Sequence, residues 1–152
     1  MLFFKTKKVL KSVANGHVLP LEAVKDEVFS SKMMGEGYAI GQHDGKVYAP
    51  IEGIVESIFP TLHAITIETR TGEKILVHMG LDTVELKGNP FSIQVVQGQK
   101  VKAGTLLAVM DLSQLTSSKK EDTIIVVFPE KIKGQLLMEN QEVTIQDELF
   151  KF

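Results

Sequence analysis

Two of the four histidines, His63 and His78, stand in a β-rich segment where their side chains could do chemistry together. The chain has no cysteine, which excludes disulfides, thiolate zinc sites and a cysteine nucleophile. Histidine and the carboxylates therefore remain as the candidate reactive groups. Two neighbouring imidazoles on an apolar face have three interpretations: a satisfied core pair, part of a metal site, or a phosphoryl-transfer site. In the last, one neutral ring attacks phosphorus and the other donates a hydrogen bond to the transferred oxygens.

The stretch that contains both histidines has the pattern of a β-hairpin, with Thr71 and Gly72 as a two-residue loop. That loop places Ile65 opposite His78. Because side chains alternate along a strand and opposed residues share a face, His63, Ile65 and His78 would project from the same face. The histidines would then be diagonal neighbours, about 7–8 Å apart at the backbone. A loop with an odd number of residues would break this register.

Short β-rich runs separated by glycines predict the framework around this hairpin. Their spacing favours a sandwich or a barrel. One helix is predicted in the second half of the chain at Leu112–Lys120, with Asp111 or Ser113 as its cap. The predicted strands are Gly37–Ile40, Lys46–Ala49, Gly53–Phe59, Ala64–Thr69, Lys74–His78, Ser92–Val95, Leu106–Asp111, Asp122–Val127 and Glu142–Ile145.

Length and composition suit one domain that spans residues 1–152, because 152 residues with 43% hydrophobic composition can form a single core. The formal net charge of −2 does not indicate nucleic acid as a partner. Apolar runs such as Ile124–Phe128 are far shorter than the roughly 20 residues of a membrane span. The start has no secretory signal pattern, so we expect a cytoplasmic protein. Peripheral membrane association through the lysines near the N-terminus is the most contact with lipid that the sequence suggests.

A second motif raises a different class of function. The run Gly98–Leu107 resembles the strand-turn-strand of biotinyl and lipoyl carrier domains. Those carriers modify a lysine in a hairpin turn, within Met-Lys-Met or Asp-Lys-Ala, and no lysine here has that setting. The resemblance is therefore architectural, because a fold does not by itself set a function.

The run Leu76–Gly88, with the sequence LVHMGLDTVELKG, resembles the phosphorylation-site motif of the glucose-family IIA domains of the sugar phosphotransferase system. Further matches follow the family order at Asp26–Ile40, Gly45–Val55 and Pro60–Ala64, and the resemblance extends over residues 15–147. With the strand pattern, it implies an all-β, antiparallel barrel-sandwich hybrid with short strands and one or two short helices. It also favours the phosphoryl-transfer interpretation of the histidine pair.

The resemblance implies a role for each residue around the pair. His78 matches the histidine that accepts a phosphoryl group, and His63 matches the second histidine, which steadies that group. Thr61 matches the threonine whose hydroxyl bonds the Nδ1 atom of the second histidine. Gly80 matches the position whose carbonyl holds the Nδ1 proton of the acceptor ring. Asp82 matches an aspartate whose charge would repel a bound phosphoryl group, although a turn-forming role is a close alternative.

The resemblance also implies partners. The phosphoryl donor would be the carrier protein HPr, and the acceptor would be a cysteine on the IIB domain of a sugar permease. An apolar patch suits such successive, weak encounters. An alternative function is a regulatory protein that uses its phosphorylation state to choose targets such as permeases or kinases. The residues that match positions around the family's site are Val28, Phe29, Met33, Met34, Phe59 and Leu76.

Cofactors and nucleotides have no place in this interpretation. The phosphate-loop motif is absent and Arg70 is the only arginine, so ATP is not a predicted substrate. No intrinsic metal site is predicted, although His63 and His78 could bind zinc if a partner supplied a carboxylate. His17 and His43 match no functional position, and both are interpreted as surface histidines.

Overall fold

The computed structural model describes residues 8–152, so the predictions for the lysines at positions 5 and 7 lie outside the described residues. The two α-helices are α1 (Glu27–Ser30) and α2 (Leu112–Ser117), and 3-10 turns occupy Leu21–Ala23 and Thr83–Leu86. The strands are β1 (Val9–Lys11), β2 (Gly16–Leu19), β3 (Gly37–Gly41), β4 (Lys46–Tyr48), β5 (Gly53–Ile58), β6 (Ala64–Glu68), β7 (Lys74–Met79), β8 (Phe91–Ile93), β9 (Lys100–Val101), β10 (Leu106–Met110), β11 (Ile124–Val127), β12 (Gln135–Leu136), β13 (Gln141–Val143) and β14 (Glu148–Lys151).

Three antiparallel sheets form the framework. The largest has the strand order β13-β2-β3-β11-β7-β6-β5-β9, and the smaller ones are β1-β14-β12 and β4-β10-β8. Every strand pairing within residues 8–152 is antiparallel. The predicted antiparallel, mostly β class with one or two short helices is therefore confirmed, but over the described residues no sheet closes into a barrel.

The predicted hairpin forms from β6 and β7, but its register is wrong by one residue. Ile65 lies opposite Val77, and His78 lies opposite Ala64. The reason is the loop, which holds three residues instead of two: the Thr69 amide donates to the Glu73 carbonyl at 2.9 Å. Gly72, the last loop residue, has φ +95°, a left-handed conformation that completes this type of three-residue connection.

The large sheet buries both of its faces, which explains why β11 reads as a continuous apolar run. One face contributes residues such as Ile65, Val77 and Val126 to the main core. The other face, with Ala64, Leu76 and Ile125, packs in a smaller cluster under the segment that includes Leu21 and Phe29. Because His78 alternates with Val77 on β7, it lies on the side of the smaller cluster.

The helices show which local signals were effective. Helix α2 begins where predicted, because the Asp111 carboxylate accepts hydrogen bonds from the amides of Ser113 and Gln114. It ends at Ser117, three residues before the predicted end. Helix α1 was not predicted, although Asp26 caps it in the same manner. No helix in the described part of the chain has the length and apolar character needed to cross a membrane.

Candidate functional site

His78 is a half-buried residue near the end of β7. Its Nδ1 atom lies 2.8 Å from the carbonyl oxygen of Gly80, and a carbonyl oxygen can only accept. The proton of the neutral ring is therefore on Nδ1, and the lone pair is on Nε2. The Phe29 ring packs against the imidazole, with 5.0 Å between the ring centroids.

His63 lies just before β6, in the turn that starts at Pro60, and is 6% exposed. The preceding residue, Leu62, has φ +59°, so the regular alternation of side chains does not extend from β6 to His63. The Thr61 hydroxyl lies 2.6 Å from Nδ1 of His63, and the Phe59 ring meets the imidazole edge to face at a centroid distance of 5.4 Å. Nδ1 is thus engaged, and Nε2 is the nitrogen left for other contacts.

The two imidazoles are in contact, with ring centroids 4.9 Å apart and an angle of 80° between the ring planes. The expected juxtaposition of His63 and His78 is therefore present, although the register from which it was predicted is wrong. Two departures compensate for each other. The longer hairpin loop shifts the opposed residues by one position, and the left-handed turn at Leu62 releases His63 from the strand pattern.

Both rings are held in the neutral form near neutral pH. Burial lowers the pKa of His63 below its usual value. Burial and the neighbouring His63 ring together lower the pKa of His78 to about 4, against the raising effects of the Gly80 carbonyl bond and the carboxylates of Asp26 and Asp82. The His78 Nε2 lone pair is therefore available as a nucleophile.

Only glycine fits position 80. Its φ is +84°, and a Cβ there would lie 2.4 Å from Cγ2 of Thr83 and 2.8 Å from the carbonyl oxygen of Glu121. The Gly80 amide donates to the Thr123 carbonyl at 2.9 Å, which anchors the loop to the residue that directly precedes β11. Thr83, fully buried, donates from its hydroxyl to the Met79 carbonyl at 2.6 Å.

Two carboxylates act on the electrostatics of His78. Asp82 is exposed, has φ +57°, and makes no side-chain cap bond to the 3-10 turn that follows it. Asp26 accepts the amides of Val28 and Phe29 with its Oδ1 atom at the start of α1. Neither Asp26 nor Thr83 was among the predicted site residues. The available signal for Asp26 was an aspartate two and three residues before Val28 and Phe29, which is the spacing of a helix N-cap.

The six residues predicted to bind partners divide by exposure. Val28, Met33 and Phe59 are 44%, 63% and 38% exposed, so they can offer apolar surface to another molecule. Met34 is intermediate. Phe29 and Leu76, 6% and 4% exposed, pack in the smaller core cluster, and Phe29 reaches the site through its ring contact with His78.

The interpretation of His43 as a surface histidine is wrong. Its ring is 8% exposed, its Nε2 atom lies 2.7 Å from the Asp122 carbonyl, and its Nδ1 atom accepts the Gly45 amide at 3.0 Å. The turn-rich sequence around it gave no sign that the ring folds inward. His17 lies in β2 and is half-buried, so it also does not occupy a turn.

A metal would find two ligands at this site. Among residues 8–152, no group of three or more histidine, cysteine, aspartate or glutamate side chains is arranged to hold an ion. His63 and His78 offer their Nε2 atoms, because both Nδ1 atoms have partners. Closed zinc sites have four ligands, so the remaining ones would come from another molecule. Zinc binding with a partner's carboxylate stays a prediction.

The fold and the site together define a mostly antiparallel β protein that carries a pair of neutral, oriented histidines beside a small apolar surface. A family model described as "phosphoenolpyruvate-dependent sugar phosphotransferase system, EIIA 1" matches residues 8–133. The chain belongs to this family.

Relatives and a solved structure agree with this membership. The chain is 50% identical over 117 residues to the PTS system glucose-specific EIICBA component of Streptococcus pneumoniae, a match that covers 77% of this chain. It is 39% identical over 147 residues, or 95% of its length, to the PTS system beta-glucoside-specific EIIBCA component of Halalkalibacterium halodurans. These matches span only 16% and 23% of the two relatives. The glucose permease IIA from Mycoplasma capricolum superposes with a TM-score of 0.90 at 34% identity, covering 99% of both chains.

Proposed function

We propose that this chain is a phosphocarrier of the phosphoenolpyruvate-dependent sugar phosphotransferase system, and that His78 carries the phosphoryl group. The observation that carries the proposal is the 2.8 Å contact between Nδ1 of His78 and the Gly80 carbonyl, together with a pKa lowered to about 4. The contact leaves the lone pair on Nε2, and the low pKa keeps the ring unprotonated at neutral pH. These are the two properties that a histidine nucleophile requires.

In the first transfer, the Nε2 lone pair of His78 attacks the phosphorus of phospho-HPr. The new N–P bond forms as the phosphorus–nitrogen bond of the donor breaks, and the donor ring keeps that electron pair. In the second transfer, the thiolate of a IIB cysteine attacks the same phosphorus. The bond to His78 then breaks, and its electron pair returns to Nε2. No nucleotide enters either step.

His63 is the group that steadies the transferred oxygens. When the Thr61 hydroxyl donates to Nδ1 of His63, the ring proton is on Nε2, and this N–H can be donated to a phosphoryl oxygen. The hydrogen bond complements the bare Nε2 of His78 on the adjacent ring. This hydrogen bond assists both transfers, because it is made to the phosphoryl oxygens and not to the attacking atom.

Asp82 and Asp26 keep the linkage transferable. A phosphoryl group on His78 brings about −1.5 to −2 charge into the field of both carboxylates. Their repulsion raises the energy of the phosphorylated state, so onward transfer does not start from an overstabilised intermediate. Gly80 contributes by bringing its carbonyl close to Nδ1.

The names of the relatives and the exposed surface support a IIB domain as one partner. EIICBA and EIIBCA proteins join an A component to B and C components, which supports a IIB domain as the acceptor. The exposed side chains of Val28, Met33 and Phe59 would form the docking patch. HPr as donor, a single domain over residues 1–152 and a cytoplasmic location complete the proposal. The imported sugar is selected by other components.

Intact mass after incubation with phosphoenolpyruvate, enzyme I and HPr tests the proposal. We expect the wild type to gain one acid-labile phosphoryl group and His78→Ala to gain none. His63→Gln should still accept the group and pass it poorly to a IIB domain. His17→Ala removes a histidine in β2 as a control and should behave as the wild type. Equal phosphorylation of His78→Ala and wild type would refute the assignment.

A further inference from the structure

The buried ring of His43 is a titratable group that the proposed transfer does not use. It lies in the connection between β3 and β4, with both ring nitrogens engaged. The Gly45 amide donates to Nδ1, and Nε2 faces the Asp122 carbonyl, which can only accept. The neutral ring with its proton on Nε2 satisfies both contacts at once.

This ring takes the place of a backbone donor. Strands β3 and β11 pair Ile40 with Ile124, and the same register would set Gln42 opposite Asp122. The backbone cannot continue this pairing, because β3 ends at Gly41 and Gln42 has φ +50°. The His43 Nε2–H donates to the Asp122 carbonyl instead, at 2.7 Å. The histidine side chain thus extends the ladder by one hydrogen bond beyond the end of the strand.

His43 contacts residues 121–123 through the Asp122 carbonyl, and this same segment positions the loop after His78. On its opposite edge, the carbonyls of Glu121 and Thr123 accept the amides of Leu81 and Gly80, at 3.1 and 2.9 Å. Alternate carbonyls of an extended segment point to opposite neighbours, so the Asp122 carbonyl faces His43 while its neighbours face the loop. The Gly80 carbonyl, fixed in this way, accepts the Nδ1 proton of His78 at 2.8 Å.

Other side-chain contacts to this segment are weaker supports. Glu121 is paired with Lys25 at 3.9 Å, and both side chains are largely exposed. Lys120 pairs with the exposed Glu85. Exposed ion pairs contribute little to order, whereas a satisfied hydrogen bond from a buried ring fixes both position and direction.

We propose that His43 is a positioning residue for phosphoryl transfer: through the Asp122 carbonyl it fixes the segment that holds Gly80, and thereby the Nδ1 tautomer of His78. The inference rests on the proposed function of His78. It assigns His43 no contact with the phosphoryl group. Its effect is to keep the acceptor ring in the tautomer whose Nε2 is unprotonated.

Two substitutions separate the two hydrogen bonds of the ring. In His43→Gln, the side-chain amide nitrogen is as far along the chain as Nε2 and can still donate to the Asp122 carbonyl. In His43→Asn, the shorter side chain places an oxygen where Nδ1 was, so it can accept from Gly45 but cannot reach Asp122. Both variants lose the aromatic ring and one hydrogen bond, which makes them matched controls for packing.

The experiment measures the ring nitrogen shifts of His78 by NMR and the rate of phosphoryl uptake from phospho-HPr. We expect His43→Gln to keep the Nδ1–H tautomer and a rate within about twofold of the wild type. In His43→Asn, the Nε2–H tautomer should become populated and the rate should fall on the order of tenfold, as expected for small displacements of a reacting group. The urea midpoints of both variants are compared to exclude unfolding.

Each outcome decides the matter. A selective change in His43→Asn supports the proposal. Equal behaviour of the two variants, whether both resemble the wild type or both are altered, would overturn it, because the Asp122 bond would then not be the cause. The NMR measurement needs no phosphoryl donor. If the wild type took up no phosphoryl group, the proposed function would fail while the effect of His43 on the His78 tautomer could still be scored.

Discussion

Replacement of Thr61 by valine tests how the second histidine is oriented. The substitution keeps the β-branched shape and removes the hydroxyl that lies 2.6 Å from Nδ1 of His63. Thr61 is half-buried in the turn before β6, and a side chain of the same shape needs no additional space there. We therefore expect the fold to persist while the Nδ1 atom of His63 loses its partner.

The size of the effect follows from one hydrogen bond. A typical intramolecular hydrogen bond has a net worth of about 1 kcal/mol, which corresponds to about a fivefold change in an equilibrium. In Thr61→Val, the preference of His63 for the tautomer with its proton on Nε2 should weaken by about that factor. Transfer from phospho-HPr and transfer to a IIB domain should both slow by up to about fivefold, because the proposed donor role of His63 assists both transfers.

Single-turnover rapid quench with phospho-HPr measures the rate, and nitrogen NMR of the His63 ring measures its tautomer. The control is Thr116→Val, which removes a hydroxyl that donates to the Leu112 carbonyl at 3.0 Å in α2. The control should keep the wild-type transfer rate. If Thr61→Val transferred at the wild-type rate with a changed His63 tautomer, the proposed role of His63 as a donor would be wrong.

Two further predictions concern Gly80 and pH. Gly80→Ala should lower the free energy of unfolding by roughly 2–4 kcal/mol, because of left-handed strain and overlap with Glu121. The control Gly72→Ala, at φ +95° with no atom within 4 Å, should lower it by only about 1 kcal/mol. Equal losses of the two variants in urea titrations would contradict this prediction. Because the folded state keeps His78 neutral, the unfolded chain binds a proton on this ring at a higher pH than the folded chain does. The free energy of unfolding therefore keeps its full value above the unfolded-state pKa of about 6.5 and falls by about 3 kcal/mol as pH falls toward 4. The unfolding free energy of the wild type should therefore drop more steeply between pH 7 and pH 4.5 than that of His78→Gln, and parallel curves would count against a buried neutral ring.

Local patterns in the sequence predicted most of the strands around the site. Short β-rich runs between glycines predicted β3, β5, β6, β7 and β11 within one or two residues of their observed ends. The strands that were missed, such as β1, β2 and β14, are short and pair at the edges of sheets or near the chain ends. Their stability comes from partners far away in the sequence, which a local pattern does not reveal.

The site shows the limits of register arguments. The sequence pattern indicated a turn at Thr71 and Gly72 but not that Arg70 also belongs to the loop. A register shift of one residue moves every side chain of the strand to the opposite face relative to its partner strand. The left-handed conformation of Leu62 has no sequence signal, because leucine rarely adopts it. Family resemblance pointed to His63 and His78 as site residues independently of this geometry. The buried setting of His43 depends on the end of β3 and was likewise not visible.

The two faces of the large sheet are buried in unequal amounts, and this separates the chemistry from the bulk of the stability. The main core lies on one face, whereas His78 shares the other face with the smaller cluster and the short helix α1. Substitutions that adapt the outer layer to new binding partners can therefore accumulate without repacking the main core. The large sheet thus separates a face on which binding residues can change from a face whose packing maintains the fold.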